Sequence, residues 1–269
     1  MRLLVACAVL VAVFSQAAQA VTAPVGFRFQ PRQKLTYAVE LRSRGEAPGQ
    51  GGTYSAEASG RAVFETSSVR PDGTATVNMA CSGSGKMTAG TESIPYGDAP
   101  MKPLVLVLRP DGTIAEFENS SGGKTYLVTG GYNMWDVGTI LATYLIGSYT
   151  MFGLELPAEM PTAGKTWTGA HKNEVLKGPD PETLKVELES EPITFELQGT
   201  RTYHEVSCLA ITSPAALKFS MPGNPEHVSG TWYFDGAKGR LVGFECHLEN
   251  WGTDRLDFDY TVTLVKAEP

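Results

Sequence analysis

The strongest constraint on the fold is a strict alternation of apolar and polar side chains with a period of two. It is clearest near the C-terminus, where the even positions from 256 to 264 are all apolar and the odd positions between them are Asp or Thr. Residues 35–42 show the same alternation. Successive side chains of a β-strand point to opposite faces of its sheet, so both segments predict strands with one buried face.

Short turn sequences separate the predicted strands. The pentapeptide RPDGT occurs twice, at 70–74 and 109–113. Its proline presets φ, its aspartate bonds nearby backbone and its glycine accepts a positive φ, so both copies predict tight turns. Further strands are predicted over 165–175, 184–197 with a break near Pro192, 201–212, 228–234, 240–249 and 255–265. Strands at this spacing favour an antiparallel meander over parallel β-α-β units.

The fold class predicted from these patterns is mainly β, a curved antiparallel sheet or a partly open β-barrel. Residues 112–118 resemble 239–245, and residues 31–37 loosely resemble 161–167. These similarities, about 130 residues apart, favour two similar halves, 27–125 and 160–265, as in chains with internal repeats. We expect both halves to belong to one β-rich domain over residues 21–269.

An uncharged segment, residues 137–154, lies between the two halves. Its large apolar side chains recur at helical spacing, which predicts one central helix over about 133–149, against the concave face of the sheet. Three glycines, three threonines and a serine dilute its apolar character, so we expect no stable transmembrane span. The helix is either part of the core or a lid over an apolar cavity. The predicted ligand-binding residues are Leu141, Tyr144, Leu145 and Tyr149, together with Trp251 at a hairpin tip.

The N-terminus has the three parts of an export signal. Arg2 supplies the positive charge, residues 3–14 are apolar, and the sequence Ala-Gln-Ala at 18–20 is a small-residue cleavage site. We therefore predict a signal peptide over residues 1–20 and a periplasmic or extracellular location.

The charge balance and the cysteine count exclude other classes of protein. The chain has 22 Lys and Arg against 29 Asp and Glu, which gives no basic footprint for nucleic acid. Beyond the signal only Cys81, Cys208 and Cys246 remain, too few for a fold held together by disulfides. Either Cys208 pairs with Cys246, or all three are small buried apolar residues.

One group of charged residues suggests a metal site. If 240–249 and 255–265 form a hairpin with matched apolar faces, His247 lies opposite Asp257, and Glu245 lies opposite Asp259. The second pair repels, and a divalent cation bound by Glu245, His247, Asp257 and Asp259 would relieve that repulsion. The alternative is a solvated outer face on which water screens the charges.

The sequence contains no recognisable catalytic motif. It has no G-x-S-x-G nucleophile elbow, no H-E-x-x-H pair and no C-x-x-C spacing. We therefore expect a protein that is not an enzyme and needs no cofactor.

The export signal, repeated hairpins and apolar segment between halves resemble the LolA/LppX-like periplasmic lipoprotein carriers. The segments FGLELPAEMPTAGKTW at 152–167 and TWYFD at 231–235 also resemble uncharacterised bacterial exported proteins. In the carriers an open, curved β-sheet wraps around helices and holds acyl chains on its concave face. The resemblance implies a lipid or other apolar ligand, although this chain has one predicted helix where the carriers have several.

These observations leave two functions in view. The first is an exported, non-catalytic protein that binds or carries an apolar or amphipathic ligand in the cell envelope. The alternative is an envelope or extracellular module that binds another protein and has no small ligand.

Overall fold

A computed structural model describes residues 25–47, 52–96, 104–119, 153–177, 185–218, 227–251 and 255–269. The described residues form strands and turns, and the helix predicted over 133–149 lies outside them. The strands are β1 Lys34–Ala47, β2 Gly52–Val69, β3 Ala75–Ala89, β4 Glu92–Tyr96, β5 Leu104–Leu108, β6 Ile114–Asn119, β7 Thr166–Lys177, β8 Lys185–Tyr203, β9 Val206–Lys218, β10 His227–Asp235, β11 Arg240–Trp251 and β12 Leu256–Glu268.

All twelve strands belong to one antiparallel sheet. The order is β6-β5-β3-β2-β1-β12-β11-β10-β9-β8-β7, with β4 paired to β3. The chain starts in the middle of the sheet, meanders to the edge at β6, and resumes at the opposite edge with β7. It then meanders back until β12 pairs with β1. In the described part of the chain β6 and β7 do not pair with each other, so the sheet is open. The prediction of a mainly β, antiparallel, open sheet is confirmed.

Both halves of the chain contribute to one hydrophobic core. The face of the sheet that carries this core is called the inner face, and the opposite face is the outer face. The largest fully buried inner-face side chains come from β1, β8, β10, β11 and β12, and they are Tyr37, Phe195, Trp232, Phe234, Phe244, Phe258 and Tyr260. The two halves therefore share a core, while their origin as a repeat stays a prediction.

The two RPDGT turns have the same geometry. In the first, the Thr74 backbone N–H donates to the Asp72 side chain at 2.9 Å, and in the second Thr113 donates to Asp111 at the same distance. Gly73 and Gly112 have φ of 83° and 93°. In both turns the aspartate side chain therefore accepts a backbone hydrogen bond and the glycine adopts a positive φ, as predicted for these positions.

The three cysteines of the described chain are free and buried. Cys246 lies in the inner-face core, whereas Cys208 packs with Tyr203 and Val242 in a small cluster on the outer face. Their side chains are on opposite sides of the sheet, so the predicted Cys208–Cys246 pairing is wrong. The alternative, small buried apolar residues, describes them correctly.

Candidate functional site

The candidate site is the trough formed by the inner face of the curved sheet. Its described core residues are aliphatic, aromatic or sulfur-containing, and none carries a carboxylate, an imidazole or an amine. Asp235, the charged residue among those buried, is the last residue of β10 and is opposite Arg240 on β11. Such a surface can hold an apolar molecule, and the charged residues Arg28 and Arg240 border it at one end, beside Phe27.

Two chain segments close one end of this trough, which we call the closed end. The first is 25–29, before β1. The Phe27 backbone N–H donates to the Pro110 carbonyl at 2.7 Å, and that of Arg28 donates to the Gly239 carbonyl at 2.8 Å. The segment thus ties the β5–β6 turn to the β10–β11 turn. Its Phe27 ring packs edge-on against Phe234, with ring centroids 5.0 Å apart.

The second segment, 153–157, joins the two edges of the open sheet. The Leu156 backbone N–H donates to the Asp111 carbonyl beside β6, and the Trp167 indole on β7 donates to the Glu155 carbonyl, both at 2.8 Å. Successive residues thus contact opposite edges. The sheet must curve until its edges approach each other here, which makes the inner face concave.

The closed end is filled by side chains. The cavity found there has a volume of about 20 Å³ and is lined by residues that include Phe27, Tyr37, Phe64 and Leu108. That volume holds about one water molecule. A larger hollow of about 770 Å³ lies against the two closing segments and is lined by residues that include Phe29, Pro110, Leu156 and Pro157. The opposite end of the trough is called the open end.

Along the inner face of β2 and β3, accessibility increases toward the open end. On β3 the inner positions alternate along the strand, and the first four, Ala75, Val77, Met79 and Cys81, are buried. The next three, Gly83, Gly85 and Met87, are half-buried, and Ala89 is exposed. On β2 the inner positions beyond Ala58 are likewise half-buried. On β2 and β3, inner-face positions thus become reachable from solvent toward the open end, whereas on β1 and β12 the half-buried inner positions Leu35 and Leu264 lie toward the closed end.

Small residues line this part of the trough. Val39 on β1 is opposite Gly60 on β2, which is opposite Gly83 on β3. One inner-face row further along, Leu41, Ala58 and Gly85 are aligned in the same way. Small side chains leave space that larger ones would fill. No turn motif or catalytic motif marks these positions, although alternating Ala and Gly at 56–62 is visible in the sequence.

The predicted ligand-binding residues are only partly placed. Leu141, Tyr144, Leu145 and Tyr149 lie outside the described residues. Trp251 is the last residue of β11, and its backbone pairs with Leu256 at the open end. Trp251 is therefore at the open end of the trough. The role of Trp251 in ligand binding stays a prediction.

The four residues of the predicted metal site have a different register from the one assumed. His247 is opposite Asp259 rather than Asp257, and Glu245 is opposite Thr261. Glu245 accepts a hydrogen bond from the Tyr233 hydroxyl at 2.9 Å, so it does not face the Asp259 carboxylate that motivated a cation. Within the described residues, no group of three or more metal-ligating side chains occurs.

His247 lies between two carboxylates on the outer face. Its Nδ1 contacts Asp259 and its Nε2 contacts Glu249 at 3.1 Å. Because the partners use opposite ring nitrogens, the trio is not arranged around one shared ion. Hydrogen bonds to Asp259 and then to Glu249 raise the pKa of His247 above its ordinary value of 6.5.

The titratable groups of the inner face are held in their neutral forms. Burial raises the pKa of the Cys81 and Cys246 thiols to about 12, and it also raises the pKa of the Tyr37 hydroxyl. A thiol at this pKa is not a nucleophile near neutral pH. The Tyr37 hydroxyl instead donates to the Leu241 carbonyl at 3.1 Å, which joins β1 to β11 across the core.

Comparison with known proteins assigns no family. No family model matches the chain, and no curated protein matches it. A lipovitellin structure concerned with lipid-protein interactions aligns over 90% of this chain with 10% identity and a TM-score of 0.48, and this chain spans 26% of it. A putative exported protein with a YmcC-like fold from Bacteroides fragilis aligns over 92% of this chain and 100% of its own, with 11% identity and a TM-score of 0.36.

Among the described residues, no helix is long and apolar enough to cross a bilayer.

Proposed function

We propose that this protein is an exported, non-catalytic binding protein that holds an apolar or amphipathic ligand in the open end of its trough. The observation that carries the proposal is the accessibility gradient along β3, from buried Cys81 to half-buried Gly85 and Met87. A closed apolar end combined with a reachable, small-residue end is the arrangement that ligand sites favour.

The chemistry of the inner face supports binding rather than catalysis. Its described core has no charged side chain, and burial keeps its thiols protonated. An apolar chain would gain about 25 cal/mol for each Å² of apolar surface removed from water. The export signal predicted at residues 1–20 would place this binding in the periplasm or outside the cell.

The first experiment is native mass spectrometry of the protein purified from its own host, with organic extraction of any copurifying molecule. We expect a stoichiometric lipid or other apolar compound. A bare protein that also fails to bind a dansyl-labelled fatty acid would contradict the proposal and favour the protein-interaction module instead.

A pair of substitutions tests where the ligand is held. Ala56 is a half-buried inner-face residue toward the open end, and its neighbour Ser55 is on the outer face. We expect Ala56→Trp to weaken binding of the dansyl-labelled fatty acid about tenfold, because the indole would occupy the trough. Ser55→Trp is the matched control and should leave the affinity unchanged. Equal affinities in both variants would mean that the probe binds elsewhere.

A further inference from the structure

The closed end carries a basic hollow on its exterior that the apolar trough does not use. It has a volume of about 410 Å³, and its polar lining comes from Arg28, Gln30, Gln33, Lys238, Arg240 and Glu268. Three of these side chains are cationic and one is a carboxylate. This is a local excess of positive charge on a chain whose formal net charge is −7.

The fold brings these cations together from distant parts of the sequence. Arg28 precedes β1, whereas Lys238 and Arg240 belong to the β10–β11 turn and the start of β11. The Arg28 side chain is fixed against the turn, because its Nη1 donates to the Ala237 carbonyl at 3.1 Å. Gly239 makes this approach possible: a Cβ there would stand 2.5 Å from Cγ of Arg28.

Arg240 has hydrogen-bonding capacity that is not satisfied in the described structure. Its side chain is 16% exposed, and its buried Nε lacks a hydrogen-bond acceptor. The nearest carboxylate oxygen, Asp235 Oδ2, lies 3.9 Å from Nε, beyond hydrogen-bonding distance. The other oxygen of Asp235 already accepts the Lys238 backbone N–H at 3.0 Å. A buried guanidinium donor without an acceptor is costly.

The carboxylate of the hollow does not neutralise its cations. Glu268 is held by Lys266, with Nζ and Oε1 2.9 Å apart. Among the described residues, neither Arg28 nor Lys238 forms an ion pair. Two cationic side chains thus line the hollow without a carboxylate partner, next to Arg240, whose Nε is buried and whose ion-pair contact is with Asp235.

We propose that this hollow binds a tetrahedral oxyanion, namely a phosphate group, through Arg28, Lys238 and Arg240. A phosphate presents several acceptor oxygens at once and pairs well with guanidinium forks and with lysine. Gln30 and Gln33 add neutral donors at the same wall. The hollow shares Arg28, Gln33 and Arg240 with the small cavity at the closed end but no residue with the open end, so the proposal does not depend on the ligand proposed above.

The test is calorimetric titration of the purified protein with inorganic phosphate at constant ionic strength. We expect one site, with affinity reduced about three- to tenfold by Lys238→Gln and by Arg28→Gln, since each removes a charged donor that solvent partly screens. Lys86→Gln, the same charge change in an exposed lysine of β3, is the matched control and should bind phosphate as the parent does. Lys238 is exposed and its side chain makes no described contact, so this variant should fold even if Arg28→Gln loosens the N-terminal segment.

The phosphate titration and a vesicle cosedimentation experiment together distinguish the possible outcomes. Absence of phosphate binding, or equal loss in all three variants, would overturn the proposal. Cosedimentation with phosphatidylglycerol vesicles, weakened by Lys238→Gln and absent with phosphatidylcholine, would identify a lipid headgroup as the source of the phosphate. Phosphate binding without cosedimentation would identify a free or soluble phosphate. Vesicle binding without any phosphate binding would also overturn the proposal.

Discussion

At the scale of single residues, identical turn sequences have different consequences because of what packs against them. Gly73 and Gly112 occupy the same position of the same pentapeptide and share a positive φ. A Cβ on Gly73 would meet the side chain of Pro110, whereas one on Gly112 would stand 2.2 Å from the Leu154 carbonyl oxygen. The local sequence accounts for the glycine in both turns, but only the fold makes Gly112 a point of contact with the segment that closes the trough.

We predict that Gly112→Ala lowers the free energy of unfolding by about 3 kcal/mol or more. The left-handed backbone contributes about 1–2 kcal/mol, and the clash with the Leu154 backbone adds to it. Chemical denaturation followed by tryptophan fluorescence measures the change. Gly164→Ala is the control, since Gly164 has φ of 78° and a Cβ added there would meet no atom within 4 Å. A similar loss in both variants would show that the contact with Leu154 adds nothing.

At the scale of strands, register arranges charges that the sequence alone does not order. His247, Asp259, Arg42, Glu57 and Lys86 are aligned across β11, β12, β1, β2 and β3. Their charges alternate in sign when His247 is protonated, and Lys86 Nζ lies 3.4 Å from Glu57 Oε2. All five side chains are more than half exposed, so each pair contributes little to stability. The row does keep like charges apart on neighbouring strands.

The observed register makes a prediction about His247. We expect Asp259→Asn to lower the pKa of His247, and Asp257→Asn to lower it less, because Asp259 is the cross-strand partner. Titration of the His247 ring protons by NMR measures both. A larger effect from Asp257→Asn would support the register that matched apolar faces had predicted.

The raised pKa of His247 predicts how the stability of the protein changes with pH. The folded pKa of His247 is raised above 6.5, so its contribution is fully present below pH 6.5 and is lost as pH rises through the raised value. In Asp259→Asn that part of the pH dependence should be diminished. An unchanged unfolding midpoint across this window in the parent protein would contradict the expectation.

At the scale of the whole molecule, two short segments outside the strands determine the shape of the trough. Residues 25–29 tie two turns together, and residues 153–157 hold the two edges of an open sheet near each other. The segments fill one end, and the proposed ligand site lies toward the other.

We predict that Phe27→Ala destabilises the protein by about 3 kcal/mol, as expected when a buried aromatic ring is removed. Phe27 is 6% exposed and packs against Phe234. Thermal unfolding followed by circular dichroism provides the measurement. Phe29→Ala is the control, because Phe29 is only partly buried and should cost less than half as much. Equal losses would mean that the ring at 27 has no special part in closing the trough.

The sequence by itself determined most of the strands, the two RPDGT turns and the class of core. Alternation with a period of two is a local property, so strands such as β11 and β12 were predicted close to their observed bounds. It did not reveal the β8–β9 turn, because His204 and Glu205 adopt positive φ without a glycine or asparagine to signal it. The hairpin register was wrong by two residues, since an irregularity between Leu248 and Trp251 shifts the pairing.

Only the tertiary structure decided which end of the trough is closed and where the cations meet. The two-residue error in the predicted β11–β12 register left the inner and outer faces unchanged, because side chains along a strand alternate with a period of two. It did change the residue opposite His247. The closing contacts join residues far apart in the chain, such as Arg28 with Gly239 and Leu156 with Asp111. Alternation and turn chemistry act over a few residues, and contacts of this range leave no periodic trace in a sequence.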